Sequence, residues 1–213
     1  MVKIAVLVSG GGSNLQALID ASKAGQIPGG ELALVLASKP DAFALERARQ
    51  AGIPTAVCAR RECTDRQEFT DRILEILQDR QIDLVVLAGF LYILSPNFCA
   101  SYENRVINVH PALIPAFCGD GYYGLKVHEQ VLASGVKLTG ATVHFVNPVT
   151  DGGPIILQGA APVYFDDTPE KLQKRVMQDC EWKLLPRAVS LFCQGRLRVV
   201  ENRVQILGEE QYM

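Results

Sequence analysis

The first half of the chain alternates short, nearly continuous apolar runs with amphipathic stretches. Residues 2–8 form the first such run, the pattern of a strand buried on both faces of a parallel sheet. A polar, glycine-rich break follows, Ser9-Gly10-Gly11-Gly12-Ser13-Asn14. Residues 14–24 then place Leu15, Leu18 and Ile19 on one helical face. The alternation continues with strands at 32–37, 55–58, 82–87 and 105–109. Helices fall at 42–50 and at 65–80, the latter carrying Phe69, Ile73, Ile76 and Leu77 as its apolar stripe. This rhythm predicts an α/β fold with a doubly wound, mostly parallel sheet of Rossmann-like type.

The rhythm changes after residue 110. A helix is expected at 125–133, then two longer strands at 139–146 and 154–163. Asp166-Asp167-Thr168-Pro169-Glu170 opens a last long helix running to about Phe192, with a capping residue before a proline in the first turn. Two short strands, 197–200 and 203–207, close the pattern. The second half therefore extends the sheet with antiparallel strands. No linker, repeat or low-complexity tract interrupts the chain, so one domain of 213 residues is expected.

Composition narrows the function classes. With 21 Lys and Arg against 23 Asp and Glu, nothing calls for nucleic acid or a membrane surface, and no apolar run approaches a span. Six cysteines without a C-x-x-C pair read as reduced thiols of a cytoplasmic protein. Three histidines, none at ligand spacing with a cysteine, argue against zinc. The start of the chain shows no signal peptide.

Two clusters suggest chemistry. Glycines at a strand-to-helix turn let the backbone approach a ligand, and the helix start offers N–H groups to an anion. The Walker lysine is absent, and Leu15 stands where a dinucleotide fingerprint needs its third glycine. The turn at Gly12, Ser13 and Asn14 thus holds one phosphate, or is a tight turn with no ligand. At the end of the fifth strand, Asn108 and His110 share a face through the period-2 alternation. Asp151-Gly152-Gly153-Pro154 puts a carboxylate on a tight loop, after a strand in which Thr142 and His144 share a face. His128 reads as structural and His144 as either structural or functional.

Segments 9–16, 87–96, 107–115, 140–146 and 150–156 together resemble the phosphoribosylglycinamide formyltransferases, in order, spacing and length over essentially the whole chain. The resemblance implies transfer of a formyl group from 10-formyltetrahydrofolate, as co-substrate and without a metal, to the amine of glycinamide ribonucleotide in purine biosynthesis. It implies Asn108, His110 and Asp151 as catalytic residues. The ribonucleotide falls to Gly12, Ser13, Asn14 and an acid of the last long helix, Glu181 or Asp179. The folate falls to Arg66, to Leu91, Tyr92, Ile93 and Leu94, to Asn108, and to Asn147, Pro148, Val149, Thr150 and Asp151. It further divides the domain into a phosphate and substrate half, 1–110, and a folate and catalytic-loop half, 111–213. The partners implied are these small molecules, for a monomer or homodimer.

Two positions depart from the family pattern. Tyr92 stands where many members carry arginine, and the segment 117–124 is longer than in some. The runner-up activity is a formyltetrahydrofolate deformylase, which would use water in place of the amine and normally carries an additional N-terminal domain. A tRNA formyltransferase would add a C-terminal RNA-binding domain, and a plain binding module would not need the Asn–His–Asp set.

Overall fold

The structure, a computed structural model, describes residues 1–208. β1 (Val2–Val8) pairs in parallel with β2 (Gly30–Ala37) on one side and β4 (Leu84–Leu87) on the other; β3 (Thr55–Val57) lies outside β2, and β5 (Val106–His110) lies beside β4. β6 (Leu138–Phe145) and β7 (Ile155–Pro162) continue the sheet antiparallel. β8 (Leu197–Val200) and β9 (Arg203–Ile206) form an outer hairpin, giving the order β3-β2-β1-β4-β5-β6-β7-β9-β8. β9 meets β7 in parallel, at Ile155 and Arg203, which sequence pattern did not anticipate.

Helices cover both faces, as continuous apolar strands require. Ile4, Val6 and Val8 of β1 pack toward α1 (Ser13–Lys23) and α2 (Phe43–Gln50), whereas Ala5 and Leu7 pack toward α3 (Arg66–Asp79) and α4 (Pro96–Ser101). The stripe of α3 is shifted from expectation. Leu74 is buried beside Phe69, Ile73 and Leu77, while Ile76 lies at its margin. The α4 turn, capped by the Ser95 hydroxyl, was not expected from sequence; six residues are too few to show a period.

α5 (Leu125–Ser134) packs against α6 (Pro169–Val176), which Thr168 caps. The long last helix is not one α-helix. A π-turn, Met177–Glu181, separates α6 from α7 (Trp182–Cys193). One inserted residue rotates the remainder of the helix by about 100°, and so decides which side chains of α7 face the sheet.

The chain moves outward from β1 to β3, then returns to β4 on the other side of β1. That reversal opens a crevice at the carboxyl ends of β1, β4 and β5, where open α/β sheets bind ligands.

Candidate active site

The crevice is a cavity of about 530 Å³. Its base is the pairing of β5 with β6, which sets Asn108 opposite His144 and His110 opposite Thr142. The alternation expected from sequence holds: Val109 joins the core, while Asn108 and His110 line the cavity. Asp151 arrives from the β6–β7 loop in a left-handed conformation, φ 53°. Gly153 makes that loop possible, since a Cβ there would stand 1.8 Å from the Phe145 carbonyl oxygen. A non-glycine residue held at positive φ stores strain, which functional loops often carry.

The four polar side chains interlock. Asp151 Oδ2 lies 3.5 Å from His110 Nδ1 and accepts from the Gly119 N–H at 2.9 Å. Asp151 Oδ1 lies 3.6 Å from His144 Nε2. Asn108 Nδ2 is 3.2 Å from the same His144 nitrogen, whose ring is fixed from behind by Nδ1 contacting the Phe145 carbonyl at 2.8 Å. His144, left undecided by the sequence, is therefore the residue that orients the Asn108 amide. Thr142 ties down the chain after β5: it donates to the Ala112 carbonyl and accepts from the Ile114 N–H.

Both His110 nitrogens face oxygen acceptors, since Nε2 contacts the Phe117 carbonyl at 2.8 Å. Only the imidazolium can donate to both. Burial nonetheless prevails, and His110 sits below its ordinary value although Asp151 and the Phe117 contact pull it up. Burial pushes the Asp151 carboxyl up, but the contacts with His144, His110 and Gly119 outweigh it and leave Asp151 below its ordinary range.

At the opposite end stands α1. Gly12 caps it at φ 73°, and a Cβ there would meet the Ala44 Cβ at 2.7 Å, so the turn is held to glycine by space as well as conformation. Ser9 Oγ accepts from the Leu91 N–H and from Ser38 Oγ, which joins the turn to the Leu91 segment. Arg47, absent from the expectations, donates through Nε to the Gly11 carbonyl at 2.8 Å and so places a cation at the turn. Asn14 Nδ2 donates to Glu181 Oε2 at 2.7 Å. Burial raises Glu181 to about 7, against the pull of that hydrogen bond. The π-turn delivers Glu181 here, 6% exposed; Asp179 is exposed and does not line the cavity.

The cavity wall brings together most of the expected residues. Leu91, Tyr92, Ile93 and Leu94 line it, as do Asn147, Pro148, Val149, Thr150, Asn108, His110, Asp151, Asn14 and Glu181. Leu91, Ile93 and Val149 are exposed, giving the cavity an apolar rim. Three expected residues lie elsewhere. Arg66 is exposed at the start of α3 and does not line the cavity. Gly12, the N-cap of α1, does not line the cavity, and Ser13 lines a larger groove of about 900 Å³ between α1 and α7, shared with Arg47. That groove contains none of the interlocked groups, all of which line the smaller cavity.

Fold and site together define a group-transfer enzyme of the open α/β class, with an amide, an imidazole and a carboxylate converging at a strand end. The model of the formyl transferase family matches residues 2–189. The chain is 42% identical to the phosphoribosylglycinamide formyltransferase of Escherichia coli strain K12 over 208 residues, 98% of this chain and 95% of that protein. It superposes with a TM-score of 0.91 on the crystal structure of glycinamide ribonucleotide transformylase 1 from Symbiobacterium toebii, at 42% identity, covering 97% of this chain and 94% of that one. A formyltetrahydrofolate deformylase from Pseudomonas syringae pv. tomato is more distant, with 25% identity, a TM-score of 0.86 and 65% of that chain covered. The chain thus belongs to the formyl transferase family, among the phosphoribosylglycinamide formyltransferases.

Proposed function

We propose that this cavity transfers the formyl group of 10-formyltetrahydrofolate to the amine of glycinamide ribonucleotide, with Asn108, His110 and Asp151 as its catalytic residues. The observation that carries the reading is the interlocked Asn108–His144–Asp151–His110 set, placed between an apolar-rimmed pocket and the start of α1. The folate lies along Leu91–Leu94 and the 147–151 loop, whose backbone groups read its polar edge. The ribonucleotide lies at Asn14 and Glu181, with its phosphate at the Gly12–Ser13 turn, where the N–H groups of the first helical turn and Arg47 complement its charge.

The amine attacks the formyl carbon and the carbonyl oxygen gains negative charge. Asn108, oriented by His144, donates its amide to that oxygen. His110 donates there too, once the Phe117 carbonyl yields its Nε2–H. Collapse breaks the bond from carbon to the folate nitrogen. His110 carries a proton toward that leaving nitrogen as the attacking amine loses one. Asp151 holds the ring and favours its charged form against the effect of burial.

The division into a phosphate half, 1–110, and a folate half, 111–213, is looser in this reading. Leu91–Leu94 serves the folate from the first half, and Glu181 serves the ribonucleotide from the second. We further infer a cytoplasmic enzyme acting as a monomer or homodimer. The free cysteines support the compartment.

The test is tetrahydrofolate release by the purified protein with and without glycinamide ribonucleotide. Transfer predicts release that requires the ribonucleotide and matches it in amount. Equal release in its absence would identify a hydrolase.

A further inference from the structure

One side chain in the cavity wall has no place in that mechanism. His128 lies on α5, fully buried, and neither ring nitrogen has a hydrogen-bond partner. Its neighbours on the inward face of α5, Val127 and Val131, are aliphatic core residues. An aliphatic side chain at 128 would fill the same space without burying two orphaned polar atoms, which is costly. The sequence reading of His128 as a structural residue leaves that cost unexplained.

The position of the ring supplies a reason. His128 lines the cavity together with His110 and with Gln173, Met177 and Glu181 of the α6 and π-turn segment, and α5 packs against α6. It therefore stands on the helix packed against α6, the segment that leads through the π-turn to Glu181 and its Asn14 contact. Because neither nitrogen is engaged, a half-turn of the ring about χ2 breaks no hydrogen bond and exchanges each nitrogen with a carbon. Either ring edge can then present a nitrogen to a ligand. Burial, together with the nearby His110, pushes His128 down to about 4, so the ring is neutral at physiological pH. A neutral imidazole carries one donor and one acceptor. A hydroxyl or amide group can use both, whereas a phosphate can use only the donor.

We propose that His128 is a binding residue for the ribonucleotide, hydrogen-bonding an uncharged hydroxyl or amide of that substrate beside Glu181. The proposal rests on the formyl-transfer reading above. It makes His128 a determinant of substrate affinity that acts apart from the Asn108–His110–Asp151 chemistry.

Steady-state kinetics of His128→Leu and His128→Gln test it, with each substrate varied in turn and Tm recorded. For His128→Leu, the ribonucleotide KM should rise about tenfold or more. The folate KM should stay within about twofold, with no loss of Tm, since an orphaned polar group has been replaced by an apolar one. His128→Gln, whose amide both donates and accepts, should recover most of the ribonucleotide KM. A folded His128→Leu with unchanged ribonucleotide KM would overturn the proposal, as would a loss shared equally by the folate or one confined to kcat. The wild-type protein provides a second measure that needs no variant. It has only three histidines, so ring-nitrogen NMR signals are readily assigned. Titration with glycinamide ribonucleotide should move the His128 signals, and signals that stay fixed at saturation would also overturn the proposal. The wild-type release assay stands apart: its failure would remove the transfer reading, whereas the His128 outcomes bear only on this residue.

Discussion

At the β5–β6 end of the cavity, each of the four polar side chains already has a protein partner. At the α1–π-turn end, partners run short: Asn14 Oδ1 has none, both His128 nitrogens have none, and Glu181 relies on Asn14. Burial differs between the ends as well: Asn14, Glu181 and His128 are all buried, whereas Asn108 and Asp151 are only half-buried. In the proposed reaction the tasks of the two ends differ too. Groups that stabilise developing charge work best when already oriented, because reorganisation would add to the barrier. Groups that bind a ligand must keep hydrogen-bonding capacity for it. Glu181, raised to about 7 by burial against the Asn14 hydrogen bond, and Asp151, held below its ordinary value by His144, His110 and Gly119 against burial, show the electrostatic form of the contrast.

The largest test of that contrast is His110→Ala. Removing a preorganised donor should lower kcat by roughly a hundredfold to a thousandfold, with modest change in either KM. Near-normal turnover in a folded variant would take the chemistry away from the β5 end.

Asp151→Asn probes the same end with shape nearly preserved. Loss of the carboxylate lowers the His110 pKa further, beyond the depression that burial already causes. Less of the imidazole is then charged above neutrality, so turnover there should fall on the order of tenfold or more. Activity should partly recover as pH falls, until the substrate amine becomes protonated. The profile of kcat/KM against pH should stay bell-shaped, with its basic limb moved to lower pH. A constant factor of loss at every pH would restrict Asp151 to orienting its neighbours.

Glu181→Gln tests the other end and should raise the ribonucleotide KM by about tenfold, leaving the folate KM nearly unchanged. It also has a signature in stability. Burial raises the folded-state pKa from 4.5 to about 7, so Glu181 contributes stability that is complete below pH 4.5 and lost as pH rises through about 7. The glutamine variant lacks that loss. Above pH 7 it should be the more stable protein, by at most about 3 kcal/mol at 1.36 kcal/mol per pKa unit. Thermal melts of both proteins from pH 4 to pH 8 should converge at the acid end and separate at the basic end. Parallel curves would mean that Glu181 is not held protonated by its surroundings.

The smallest effect belongs to Tyr92→Phe. Tyr92 packs its ring edge against Phe69 and Phe90, and the 91–94 segment is proposed to read the folate through its backbone. The folate KM should change by less than about twofold. A tenfold loss, about 1.4 kcal/mol, would show that the hydroxyl is a contact.

Much of the fold was legible in the sequence because it rests on local periodicity. The buried parallel strands read as apolar runs, the stripe of α1 falls where Leu15, Leu18 and Ile19 predict, and Asn108 and His110 share a face by alternation. Elements without a repeated period were missed: α4 has six residues, fewer than two turns, and the π-turn interrupts a helix whose composition reads as continuous. Among site residues, Arg47 carries no local mark, since it meets the glycine turn directly but from 36 residues along the chain. Arg66 carries a basic side chain at an expected position, yet lies exposed away from the cavity.

The sequence by itself determined which residues lie at strand ends, where the chain must turn, and hence that Asn108, His110 and Asp151 are available for chemistry. Alternation, glycine and proline are read within a few residues of the chain, so they survive without the fold. Only the tertiary structure decided how these residues are used. The register of β5 on β6 put His144 behind Asn108, and the π-turn set Glu181 on Asn14 across 167 residues of chain. Packing of α5 left the two nitrogens of His128 without partners. A pKa or an unmet hydrogen bond depends on every neighbour within a few ångströms, and those neighbours come from segments that no local pattern joins.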